Sequence, residues 1–100
     1  MRRRVQLTAS ATGQLDALIS THRLPSDARA RVARLLRPLE RFPEMGALLG
    51  PAAPVPNLRF LLGPWRWMLL VYTILEDRVV VVAIEDARSS NAVTAGRQRR

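Results

Sequence analysis

Two stretches in the first half of the chain repeat one spacing of apolar residues. Ala11, Leu15, Leu18, Ile19 and His22 fall at i, i+4, i+7, i+8 and i+11, and Ala28, Val32, Leu35, Leu36 and Leu39 do the same. That spacing lays each set along one helical face. Thr8 or Ser10 supplies a cap for the first helix, and Ser26 or Asp27 for the second. Gly13 weakens the first helix by roughly 1 kcal/mol against alanine. Pro38 removes a hydrogen bond and clashes with the carbonyl of Arg34, so the second helix should kink or end near Arg37. Two short-linked helices with matching stripes predict a helical hairpin. Before them, Val5 to Leu7 alternates as an opening strand does.

The second half changes period. Residues 43–56 hold four prolines and two glycines and predict a loop, long enough to be a functional segment. Residues 57–62, 65–75 and 78–84 predict strands, with turns at Gly63-Pro64 and Glu76-Asp77. The run Val79 to Val82 is β-branched throughout. The expected fold is α+β, in the order β-α-α-β-β-β, with the helical hairpin packed on a small antiparallel sheet. From Ser89 onward the chain is polar and then basic, and is expected to fray.

Composition narrows the chemistry. The chain has 100 residues with 48% apolar side chains, which fits one domain with a packed core. No cysteine means no disulfide, thiolate metal site or cysteine nucleophile. One histidine, His22, weighs against a histidine zinc site or a Ser/His/Asp triad. No metal or cofactor is expected. All 16 basic residues are arginine, so there is no lysine for a Schiff base, and guanidiniums clamp anions without acting as bases. Of the +8 net charge, six arginines (2, 3, 4, 97, 99 and 100) lie in ends expected to be flexible, about 1–4 and 90–100. No leader is expected, because Gln6, Ser10, Gln14 and Asp16 break the apolar run after Arg4. No membrane span is expected either, since the longest apolar stretch, 67–75, has nine residues where about 20 are needed. A cytoplasmic protein is expected.

In order along residues 4 to 90, the chain resembles the RelE/ParE family of toxins from bacterial type II toxin–antitoxin systems. The resemblance lies in Thr8-Ala9-Ser10-Ala11 with Leu15, then Leu36-x-x-Leu39-x-x-x-Pro43-x-x-Gly46-x-x-Leu49. It continues through Leu58-Arg59, Gly63-Pro64-Trp65-Arg66, Val71-Tyr72, Val79 to Ile84, and Asp86-x-Arg88. It implies a single toxin domain held inactive by a small acidic antitoxin. The target is either ribosome-bound mRNA, which some members cut, or DNA gyrase, which others poison. A degenerate member that only binds nucleic acid is a further alternative. For a cutting member, the resemblance implies Arg59, Arg66 and Arg88 as the basic cluster.

Metal-free RNA cleavage needs a proton acceptor, a proton donor and cations on the developing phosphorane. Arginine suits the last task through its bidentate fork. The acceptor here must be a carboxylate, Glu85 or Asp86, whose plainer role is an ion pair with Arg88. No histidine or tyrosine follows Ile84, which favours the gyrase reading. Tyr72, mid-strand among apolar neighbours, is expected in the core. His22, far in sequence from this site, is expected to pack or to compensate a helix C-terminus. Trp65 and Trp67 alternate around Arg66 and are expected to cover the helix layer rather than stack bases.

Overall fold

The computed structural model describes residues 3–50 and 57–88. Strand β1 (Arg4–Leu7) leads into helix α1 (Ala9–His22) and helix α2 (Ala28–Leu36). Two 3₁₀ turns follow, Arg37–Glu40 and Pro43–Met45, and then strands β2 (Ala47–Leu48), β3 (Arg59–Leu62), β4 (Met68–Ile74) and β5 (Arg78–Asp86). Thr8 caps α1 by accepting from the Ala11 N–H at 3.0 Å. The helix closes on Arg23 in the left-handed region (φ 51°), whose N–H, with that of Leu24, reaches back to carbonyls of the last turn. Asp27 precedes α2 without capping it; its carboxylate pairs with Arg31 at 3.0 Å instead. Pro38 acts as expected: α2 stops at Leu36 and the chain tightens into 3₁₀ geometry.

The five strands form one sheet in the order β1-β5-β4-β3-β2. This corrects the antiparallel expectation. The meander β3-β4-β5 is antiparallel, but β1 joins β5 in parallel, pairing Arg4–Leu7 with Arg78–Val81. A long, valine-rich β5 would otherwise offer an open edge, and β1 covers it. The loop expected over 43–56 also contains structure, because Ala47 and Leu48 pair with Phe60 and Arg59. A two-residue strand is too short to show a period. Residues 65–67 are not part of β4: Gly63 to Trp67 is a turn, closed by the Gly63 N–H donating to the Met68 carbonyl at 2.8 Å. Of the end expected to be flexible, Arg3 and Arg4 are tied down, and residues 1 and 2 lie outside the described residues. Arg4 lies in β1, and the Arg3 N–H donates to the Glu40 carbonyl at 2.8 Å. The expectation for 90–100 lies outside the described residues.

The main core sits between the helices and one sheet face, joining Leu15, Val32, Leu36 and Leu39 to Met68, Leu70, Tyr72, Val79, Val81 and Ile84. Leu49, Leu58, Leu69, Val71 and Ala83 cluster on the other face. Ile84 belongs to the first set and Ala83 to the second, although strict alternation from Val79 and Val81 would assign them the other way. The cause is a bulge. Tyr72 pairs with Val81 and Val71 with Ala83, so Val82 is an extra residue without a partner on β4. Helix α1 braces this slip. The Thr8 N–H donates to the Val81 carbonyl at 3.0 Å, and Gln14 Oε1 accepts the Ile84 N–H at 2.8 Å.

Replacing Gln14 by alanine removes the acceptor of a part-buried N–H. We expect a loss of about 1–2 kcal/mol in denaturant unfolding, and faster exchange of the Ile84 amide than of its neighbours.

Candidate functional site

The bulge decides what gathers at the end of β5. Past Val82 the even-numbered residues face the helices, so Asp86, paired with Met68, points toward α1. There it meets His22, the last residue of that helix, with Nε2 3.4 Å from Asp86 Oδ2. Arg88 closes the group. Its Nε and Nη2 each donate to one Asp86 oxygen at 3.1 Å, and its backbone N–H donates to Oδ1 at 2.9 Å. These bonds from Arg88 hold the Asp86 carboxyl below the usual aspartate range, against the opposing effect of burial; the charge of His22 pulls the same way.

Trp67 forms the floor of the group. Its ring lies 4.3 Å from the His22 ring, and the Arg88 guanidinium stands 5.3 Å from its centre. Trp65 stacks beside it at 6.5 Å and carries Arg31 at 5.5 Å. Both indoles also pack against the helix-side core. With arginine, histidine and indole neighbours around them, they fasten the 63–67 turn to the helices.

Position in the sequence sets His22 apart from this group, and the fold does not. Sixty-four positions separate it from Asp86, and only the bulge's parity change, which no local pattern announces, brings the two together. It packs as expected, on Trp67, and it also joins the carboxylate.

The other expected residues lie elsewhere. Arg59 is opposite Tyr72 on β3, four β4 residues from the Met68–Asp86 pair, or roughly 13 Å along the strand. Its Nη1 donates to the carbonyls of Glu44 at 3.1 Å and Gly46 at 2.8 Å. Arg66 is exposed in the 63–67 turn. Glu85 pairs with Leu69, on the sheet face away from Asp86. Thus Asp86 and Arg88 stand together, while Arg59, Arg66 and Glu85 do not join them. Among the described residues, no three His, Cys, Asp or Glu side chains come close enough to share a metal ion.

Arg59 and Tyr72 together hold the segment that leads into β2. The Tyr72 hydroxyl accepts from the Gly46 N–H at 2.9 Å and donates to the Pro43 carbonyl at 2.7 Å. Burial pushes this phenol's pKa up, the Gly46 bond partly opposing it. A Cβ at position 46 would stand 2.5 Å from that hydroxyl and 2.7 Å from the Phe60 carbonyl, so glycine is required by the closeness of approach.

A second surface of note flanks the 3₁₀ turns. Arg34, Arg37, Pro38, Glu40, Arg41 and Phe42 line an open groove of about 600 Å³. Phe42 is 65% exposed and Met45 52%. Among the described residues no helix is long and apolar enough to cross a membrane.

Known proteins bear on this geometry through shape. No family model and no curated protein matches the sequence. Among solved structures, the chain is similar to one described as "Chromosomal ParDE TA system from P. aeruginosa", with a TM-score of 0.67 at 17% identity. The match covers 87% of this chain and 98% of that one. The two chains share one fold.

Two outcomes follow from these contacts. Tyr72→Phe deletes both hydroxyl bonds and leaves the core volume unchanged; it should cost about 1–3 kcal/mol and speed exchange at Gly46 and Leu49. Because the Asp86 carboxyl is depressed in the folded state, the unfolded state binds its proton first as pH falls. Its stabilisation is therefore present above the ordinary aspartate pKa of about 3.9 and lost as pH drops through the lower folded value. Measured by urea unfolding, the gap between the parent and Asp86→Asn should be full near neutral pH and narrow progressively as pH falls below the ordinary aspartate pKa of about 3.9.

Proposed function

We propose that this protein is the toxin of a type II toxin–antitoxin pair, acting in the cytoplasm, and that it inhibits its target by binding rather than by cutting RNA. The observation that carries the toxin reading is the shared fold with a ParDE chain, which extends over nearly all of that chain. The likeness in residue order along 4 to 90 points the same way.

The binding reading rests on the arginines. A phosphoryl clamp needs guanidiniums converging on one point. Arg59 is instead bonded to the Glu44 and Gly46 carbonyls, and Arg88 is forked onto Asp86. DNA gyrase is the target this reading favours. A second reading, ribosome-associated mRNA cleavage, draws support from His22, which supplies a proton-carrying group 3.4 Å from Asp86.

The neutralising partner is a small acidic antitoxin. The groove lined by Arg34, Arg37, Arg41 and Phe42, with Met45 beside it, suits an amphipathic segment carrying carboxylates and one or two large apolar side chains.

Induced expression with and without a neighbouring acidic open reading frame tests the pair. Growth arrest from the chain alone, relieved by the neighbour, is expected; unimpaired growth would remove the toxin reading. Purified protein should inhibit gyrase supercoiling, with mRNA left intact and His22→Ala as potent as the parent. Mapped mRNA cuts that disappear in His22→Ala would establish the second reading in its place. Arg37→Glu with Arg41→Glu should weaken antitoxin binding at least about tenfold, with growth inhibition retained.

A further inference from the structure

We infer that the start of the β1–β5 pair forms an oxyanion site suited to a phosphate group. These two strands run parallel, with Arg4 directly beside Arg78. Val5 and Val79, next in each strand, pack into the helix-side core. Alternation therefore sends Arg4, Gln6 and Arg78 to the opposite sheet face. There, with Asp77, they line a polar cleft of about 300 Å³.

The charges in this cleft do not balance. Two guanidiniums side by side on one sheet face repel each other, and the lining offers one carboxylate against them. That carboxylate, Asp77, meets Arg78 Nη1 at 3.1 Å, but its side chain is 75% exposed, so water screens the pair. Arg3, the neighbour of Arg4, is engaged elsewhere, its Nε donating to the Leu75 carbonyl at 3.1 Å. On the helices, Arg29 has Asp16 and Arg31 has Asp27 as a carboxylate of its own. Among the described residues, no carboxylate pairs with Arg4.

A tetrahedral oxyanion seated between Arg4 and Arg78 accepts hydrogen bonds from both forks and turns their repulsion into a shared attraction. The Gln6 amide adds a neutral donor at the same cleft. The site lies at the opposite end of β5 from Asp86 and Arg88, so it does not compete with that group.

Nitrogen-15-labelled full-length protein, titrated with inorganic phosphate at constant ionic strength, tests the site. Saturable shifts confined to Arg4, Gln6 and Arg78 are expected, with a rise in Tm. Arg4→Gln and Arg78→Gln should each weaken phosphate binding about tenfold, whereas Asp77→Asn should tighten it. Arg4→Gln also removes the like-charge contact, so its Tm without phosphate should equal or exceed that of the parent, which shows that the variant folds. Shifts that spread over all arginines without saturating would overturn the site, as would an Arg4→Gln variant with an undiminished response. A parallel titration with a dinucleoside monophosphate separates the sources: tighter binding than inorganic phosphate identifies a nucleic-acid phosphodiester, and weaker binding identifies the free anion.

Discussion

Strand β5 has to satisfy two demands of opposite parity. Its first half turns Val79 and Val81 toward the helices while pairing with β1. Its second half turns Ile84 and Asp86 the same way, and strict alternation forbids both at once. The extra residue Val82 resolves the conflict by shifting the phase within the strand. Helix α1 and its cap hold β5 on either side of the extra residue, Thr8 through the Val81 carbonyl and Gln14 through the Ile84 N–H. The helix therefore both covers the sheet and sets the phase of its longest strand. The grouping of His22, Asp86, Arg88 and Trp67 depends on that phase.

The helices were legible because their stripes are long and their boundaries carry chemical signals. Thr8 at the start of α1 and Pro38 after α2 act through local geometry alone. The meander was legible for a similar reason, since Val79 to Val82 has few alternatives to a strand. What escaped depends on distance. The parallel seat of β1 is chosen by an edge more than seventy residues away. Strand β2 is two residues long and is held by Arg59 and Tyr72, whose roles no periodicity reveals. In the candidate site, Asp86 and Arg88 were legible as near neighbours in sequence. His22 was not, because its approach depends on a one-residue slip in another element.

The arginines divide by what their guanidiniums touch. Arg59 meets backbone carbonyls and orders a loop. Arg29, Arg31 and Arg88 meet carboxylates, and the last two also lie over indole rings. Arg34, Arg37 and Arg41 line an open groove beside exposed Phe42. One residue type thus serves as loop tie, ring cover and surface charge, and the fork geometry of arginine suits all three better than the point charge of lysine. The net charge of the chain says little about which arginine does which.

The clamp on Gly46 has a consequence for how the sheet's width is encoded. A phenylalanine at position 72 would fill the same core volume and keep every apolar contact of the ring. It would lack the single oxygen that receives the Gly46 N–H and donates to the Pro43 carbonyl. The approach to the outermost strand is therefore held from neighbouring strands, by the Tyr72 hydroxyl and the Arg59 guanidinium, rather than by the side chains of its own two residues. Sequence drift at Ala47 and Leu48 is tolerable in a way that drift at Tyr72 or Gly46 is not. Among descendants of such a chain, β2 would come and go with these two ties.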